Sequence, residues 1–237
     1  MRFFGGVLRD RGEREKNEDS LSLSILRVKG KEVVFGVVAD GIGSLPEGDA
    51  AGGYVCEGLR KHLYGKIVPM IHKGKRFSHI RKSILLTLYS LNEELKTYGE
   101  RKGIRLGTTV SLLLVIGRRY LIVNVGDSAV FCITDKERAM KRLTPDDHNP
   151  DGSIGRCIGS FPFLFPYVRT GCLFGPVSFL VASDGFYKRS DHGNGLYRPG
   201  ALKDRESVEK RLGEGIKQAR KRGEKDNASA VLISTGR

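Results

Sequence analysis

The chain contains no tryptophan, only five histidines, and four cysteines that form no C-x-x-C pair. With no H-E-x-x-H among the histidines either, no zinc site is expected. Cys56, Cys132, Cys157 and Cys172 fall in segments that read as core or strand, and are expected to be buried thiols of a reducing compartment. Long apolar runs are also missing. The longest, Leu112 to Ile116, is far short of the ~20 residues that cross a bilayer. The first residues carry arginines and glycines where a signal peptide would be apolar, so no membrane span and a cytoplasmic location are expected. No G-x-x-x-x-G-K-[ST] and no G-x-S-x-G occurs, which excludes a P-loop and a serine-hydrolase elbow. Acidic residues are outnumbered 27 to 41, for a net charge of +14 and a pI near 9.8. That balance favours acidic partners such as nucleic acid, anionic membrane or phosphorylated protein. The basic residues concentrate at His72 to Lys82 and Arg205 to Lys225, which read as solvated helix faces without interleaved aromatics. No specific nucleic-acid partner is therefore expected.

What is present is an ordinary globular composition, with 39% apolar and 29% charged residues over 237 positions. No repeat, linker or low-complexity tract divides the chain, and residues 1-237 are expected to form a single domain. The most informative stretch is Val37-Val38-Ala39-Asp40-Gly41-Ile42-Gly43-Ser44. The apolar run from Val33 to Ala39 is continuous enough for a strand buried on both faces, and it stops at a carboxylate. Asp-Gly is most often a hairpin turn, but Glu47 to Leu63 reads as a helix, with Tyr54, Val55, Leu59 and Leu63 at helical spacing. Gly41-x-Gly43 begins like a dinucleotide fingerprint, yet Pro46 stands where the third glycine is needed, and Asp40 would repel a pyrophosphate.

In chain order, a first strand lies within Met1 to Arg9, and Arg11 to Asp19 is a charged loop. Leu21 to Val28 alternates as a half-buried strand, and Val28-Lys29-Gly30-Lys31 is a hairpin turn into the strand that ends at Asp40. Antiparallel pairing puts Glu18, Asp19 and Asp40 on one edge of the sheet. Ile80, Ile84, Leu88, Leu91 and Leu95 mark a long amphipathic helix. Thr109 to Ile116, Tyr120 to Val125 and Ala129 to Thr134 are expected as a three-stranded meander with Gly126-Asp127-Ser128 before the last. Residues 136–175 are rich in turns and show little organisation; His148 there reads as part of a solvated polar turn. Val177 to Ala182 is an apolar strand ending at Asp184-Gly185, and 186–203 reads as an exposed loop. Val208, Leu212, Ile216 and Ala219 mark a last helix, and Asp226-Asn227 opens a last strand, Ala228 to Ser234.

Asp40, Asp184 and Asp226 thus stand at three strand ends, and Glu18 and Asp19 at a fourth. Clustered carboxylates repel one another unless cations lie between them, and oxygen-only ligands select hard ions such as Mg2+ or Mn2+. Two such ions roughly 4 Å apart can activate a bridging water.

The set Gly12-x-Arg14-x-x-Asn17-Glu18-Asp19-Ser20, Ala39-Asp40-Gly41-x-Gly43, Gly107-Thr108-Thr109, Asn124-Val125-Gly126-Asp127-Ser128, Leu143-Thr144-Pro145-Asp146, Ser183-Asp184-Gly185 and Asp226-Asn227-Ala228-Ser229 resembles the metal-dependent PPM, or PP2C-type, protein serine/threonine phosphatases in their compact bacterial form. The motifs follow the family's order over nearly the whole chain. The resemblance implies an α+β fold, a four-layer α-β-β-α sandwich of two antiparallel sheets flanked by helices. It also implies two Mn2+ or Mg2+ ions in a core site and a possible third. By position, Asp40 matches the aspartate that bridges both metals, with the Gly41 carbonyl on one of them. Asp184 and Asp226 match ligands of the second metal, and Glu18 and Asp19 an acidic pair holding metals directly or through water. Asp127 with Asp184 resembles the weaker third site, and Arg14 the arginine that grips the substrate phosphate. The reaction implied is attack on phosphorus by a metal-bridging hydroxide, on phosphorylated protein substrates supplied by a cognate Ser/Thr kinase. Ile42 stands where eukaryotic members have a histidine, so a metal-bound water is expected to protonate the leaving oxygen. Ser44 replaces a usual glycine and Ala129 a common arginine; with the basic faces, these departures motivate the alternative of a pseudophosphatase that binds phosphoproteins without hydrolysing them.

Overall fold

The computed structural model describes every residue except 138, 148–153, 160–164, 191–194 and 237. His148, assigned above to a polar turn, lies outside the described residues. The strands β1 (Phe3–Asp10), β2 (Asp19–Val28) and β3 (Lys31–Asp40) open the chain, the last two as a hairpin. Its turn residues, Lys29 and Gly30, have φ of 47° and 73°, the left-handed pair that matches the twist of the flanking strands. Next come α1 (Gly48–His62), which continues through a π-helical turn at Leu63–Ile67 into α2 (Val68–His72), and the long α3 (Phe77–Lys102). The strands β4 (Gly107–Thr108), β5 (Val110–Ile116), β6 (Arg119–Val125), β7 (Ala129–Thr134), β8 (Lys141–Arg142), β9 (Ile158–Gly159), β10 (Tyr167–Cys172) and β11 (Val177–Ala182) follow. The chain closes with the single turn α4 (Asp184–Tyr187), the helix α5 (Arg205–Lys221) and β12 (Ala228–Thr235).

Two five-stranded antiparallel sheets result, one in the order β1-β12-β11-β7-β8 and the other β10-β6-β5-β3-β2, with β4 and β9 forming a separate pair. The two-residue period of a strand sorts β3 between two cores. Val33, Phe35, Val37 and Ala39 face the helices α1 and α3, where Val55, Leu59, Ile84 and Leu88 cover them. Val34 and Val38 face the other sheet and meet Phe179, Val181, Val231 and Ile233. On the far side Leu180, Ala230 and Leu232 lie under Val208, Leu212 and Ile216 of α5. These three apolar layers define the four-layer α-β-β-α sandwich. The N-terminus of α5 is closed by a capping box, in which Asp204 Oδ1 accepts from the Ser207 backbone N–H at 2.8 Å.

Three expectations need correction. β5 and β6 pair with each other, but β7 joins β11 in the other sheet, so there is no three-stranded meander and Gly126-Asp127-Ser128 is a crossing between sheets. The described part of 186–203 is not all exposed loop: Phe186, Tyr187, Tyr197 and Leu202 are buried against α5. Cys56 and Cys157 are buried, but Cys132 is half-buried and Cys172 is exposed, because it ends the edge strand β10.

Candidate active site

The acidic residues come from the matching ends of two facing sheets rather than from one sheet edge. In the hairpin, Asp19 is the direct partner of Asp40. In the other sheet, Asp184 follows β11 and Asp226 precedes β12, which are neighbours. Asp127 sits where the chain crosses from one sheet to the other. The Asp40 carboxylate feels the charges of Asp19, Asp184 and Asp127. Glu18 and Asp226 lie at the rim, with Arg14 between the two.

Backbone and neutral side chains fix each acid from below. The Ser183 hydroxyl donates to Asp19 Oδ2 at 2.9 Å and accepts from the Ser229 N–H at 2.9 Å, tying the two sheets together under the site. The Asp40 peptide is held on both sides, its N–H by Thr109 Oγ1 at 3.0 Å and its carbonyl by the Thr109 N–H at 2.8 Å and Thr108 Oγ1 at 2.9 Å. Asn227 accepts from the Glu18 N–H at 2.8 Å and donates to the Arg11 and Lys16 carbonyls at 2.7 and 2.9 Å. One amide thereby shapes the whole loop that carries Arg14. The Asp127 carbonyl accepts from the Tyr187 hydroxyl at 2.8 Å and from Arg142 Nη2 at 3.2 Å. Two glycines are required by close approach: a Cβ on Gly41 would lie 2.4 Å from the Gly48 carbonyl oxygen, and one on Gly185 2.1 Å from that of Asn227.

Burial is the main force on the acids. It raises Asp19 to about 6, opposed by its hydrogen bond from Ser183, and it raises Asp40 well above the usual carboxylate range, with Asp19, Asp184 and Asp127 adding repulsion. Glu18 is raised too, first by burial and then by Asp49. Asp19 is fully buried, and its Oδ1 accepts no hydrogen bond. A buried carboxylate oxygen without a donor is costly unless a cation faces it. The Glu18 carboxylate lies over glycine, within 2.7 Å of where a Gly43 Cβ would be and 3.2 Å of a Gly48 Cβ. The donor set is all oxygen, so the residues present fit hard divalent ions. Among the described residues no three acidic, histidine or cysteine side chains already meet in metal-ligand geometry. Two of the acids are instead held by cationic side chains.

Those cations are Arg14 and Lys188. Arg14 Nη2 is 2.8 Å from Asp226 Oδ2 in an exposed pair, and the bond to Asp226 raises the guanidinium further. Lys188 Nζ donates to Asp184 Oδ2 at 2.8 Å. Burial works against the Lys188 charge, but Asp184, Asp127 and Glu224 more than offset it, so the ammonium is held above the usual lysine range.

The family model described as "Protein phosphatase 2C" matches residues 10–232. The chain belongs to the protein phosphatase 2C family. Members of this family are metal-dependent protein phosphatases. Among its relatives is "Probable protein phosphatase 2C 59" of Oryza sativa subsp. japonica, 24% identical over 98% of this chain and 76% of that protein. Serine/threonine phosphatase Stp1 from Staphylococcus aureus superposes with a TM-score of 0.79 at 20% identity, over 98% of this chain and 95% of that one. The catalytic domain of the serine/threonine protein phosphatase PstP, solved in complex with two manganese ions, superposes with a TM-score of 0.77 at 21% identity, over 99% of each chain.

Neither departure from the family pattern disturbs the site. Ser44 is exposed, and its φ is not positive, so its backbone makes no demand for glycine. Ala129 is fully buried as the strand partner of Ala182. Sequence reasoning quoted Asn227, Thr109 and Ser183 within motifs without giving them a part, and it passed over Lys188. The signal for Lys188 was its place four residues after Asp184, the spacing of facing charges on one helical turn.

Proposed function

We propose that this chain hydrolyses phosphoserine and phosphothreonine in proteins of the cytoplasm, opposing a Ser/Thr kinase, with residues 1-237 acting as one catalytic domain. The observation that carries this reading is the buried Asp19 oxygen that no donor serves, on the strand partner of Asp40. Asp40, the Gly41 carbonyl, Glu18, Asp19, Asp184 and Asp226 would hold two Mn2+ or Mg2+ ions, Glu18 and Asp19 directly or through water. Bound there, the ions would acidify water and neutralise phosphate oxygens.

The chain's own groups do the rest. Ser183 holds the Asp19 carboxylate, and Thr108 and Thr109 hold the Asp40 peptide, so both residues are positioned before the ligand arrives. The Ser183 hydroxyl is buried and committed to Asp19, so the attacking oxygen comes from water. In the displacement, the water oxygen bonds to phosphorus, the bond from phosphorus to the serine or threonine oxygen breaks, and a proton lost by the attacking water ends on that oxygen. Arg14 stands at the rim with more than half of its side chain exposed. An exposed ion pair contributes about 1 kcal/mol or less, so a dianionic phosphate can draw the guanidinium from Asp226 into a two-pronged contact.

The test is release of phosphate from a phosphothreonine peptide. Wild type should turn over with Mn2+ and stop in EDTA, and Asp40→Asn should be inactive while folded. Turnover by Asp40→Asn near the wild-type rate would refute the assignment.

A further inference from the structure

Two ion pairs put a cation on an acid of the candidate site, Arg14–Asp226 in an exposed setting and Lys188–Asp184, and the second differs from the pairs of the basic surface. Arg205–Glu209 and Arg211–Glu214 lie on α5, and Lys225–Glu13 joins two exposed side chains. Lys188 instead places its ammonium 2.8 Å from an acid of the candidate site, with the Asp184 side chain only 19% exposed. The same ammonium also feels Asp127, the other acid of that corner. Asp127 is itself only 4% exposed, and its carbonyl is held by Tyr187, the residue before Lys188. Asp184 and Lys188 are joined by the single turn of α4, which tethers the ammonium beside the acid.

We infer that Lys188 is a built-in cation that takes the place of a third metal ion between Asp184 and Asp127, leaving a site for two divalent ions. This rests on the two-ion reading proposed above and refines it. Lys188 is a positioning residue: it neutralises the Asp127 corner and sets one oxygen of Asp184, leaving the other to face a metal. A third divalent ion would have to enter against a fixed positive charge already bonded to its ligand. A purely structural ion pair at this i,i+4 spacing would contribute only a few tenths of a kcal/mol and would not alter how many ions bind.

The experiment counts Mn2+ bound per chain by equilibrium dialysis of the EDTA-stripped protein, with a thermal melt of each variant to verify folding. Wild type and Lys188→Arg should bind two ions. Lys188→Ala and Lys188→Asp should bind a third, more tightly in the aspartate variant, and the third should be lost when Asp127→Asn is added. Three ions on the wild type, with the third lost in Asp127→Asn, would overturn the role of Lys188 and leave the two-ion reading standing. An unchanged count in both folded Lys188→Ala and Lys188→Asp would also overturn it. Fewer than two ions on the wild type would overturn the two-ion reading itself.

Discussion

Stripping divalent ions should make this protein less stable as pH rises through the mildly acidic range, and Asp19 should be responsible for much of that slope. Burial raises Asp19 from 3.8 to about 6 in the folded state. A raised carboxylate favours the fold only while protonated. Its contribution is complete below 3.8 and is lost as pH climbs through about 6. At about 1.4 kcal/mol per pH unit between those two values, about 3 kcal/mol disappears by about pH 7. For a chain of this size that corresponds to roughly 6 to 12 °C in melting temperature. Asp40 shifts in the same direction and steepens the loss. Bound Mn2+ favours the ionised forms, so saturating metal should flatten or reverse the slope. The assay is a series of thermal melts across this pH range in EDTA and in Mn2+, for wild type and Asp19→Asn. The asparagine keeps an oxygen for the Ser183 hydroxyl but has no charge to lose. Parallel pH profiles for the two proteins in EDTA, or a wild type that gains stability over Asp19→Asn as pH rises, would refute the reasoning.

Three further outcomes follow from the same geometry. Asn227→Ala removes three hydrogen bonds, to the Glu18 N–H and the Arg11 and Lys16 carbonyls; at about 1 kcal/mol each it should cost about 3 kcal/mol in urea unfolding and lower kcat by loosening the Arg14 loop. Gly185→Ala forces a methyl against the Asn227 carbonyl at 2.1 Å, where backbone must give way; it should destabilise by ~1–3 kcal/mol and weaken Mn2+ binding measured by calorimetry, by parting Asp184 from Asp226. Thiol labelling of the native protein should modify Cys172 first, because Cys172 is exposed while burial pushes the Cys56 and Cys157 thiols up to about 12; mass spectrometry showing Cys56 labelled as fast as Cys172 would contradict the packing.

Much of the site could be read from local pattern because each acid terminates a strand whose apolar run is unmistakable. The β2–β3 hairpin fixed the pairing of Asp19 with Asp40 through its Lys29-Gly30 turn. The single-edge picture failed because apolar alternation is the same in either sheet. Nothing in Val110–Ile116, Arg119–Val125 and Ala129–Thr134 marks the last as belonging across the core. The segment after Asp184 read as a loop because its glycines and charges outnumber its apolar residues. Tyr197 is nonetheless buried, in space that α5 opens with Gly215, where a Cβ would lie 2.3 Å from the Tyr197 hydroxyl. That fit pairs residues 18 positions apart on different elements, which no local period encodes. Cys172 was misjudged because an edge strand and a central one share a composition, and only pairing decides which face meets water. The Lys188 contact was legible as spacing alone, but its meaning required knowing that the crossing before β7 brings Asp127 to the end of β11.

The most direct measurement of the central claim is turnover of a phosphothreonine peptide followed during Mn2+ titration of the EDTA-stripped protein, with ion occupancy read in the same samples. Turnover should be absent without metal, rise as the second ion binds, and fail to appear in Asp40→Asn at any Mn2+ concentration. Turnover by the stripped protein, or an Asp40→Asn variant that matches wild type at equal occupancy, would contradict the account.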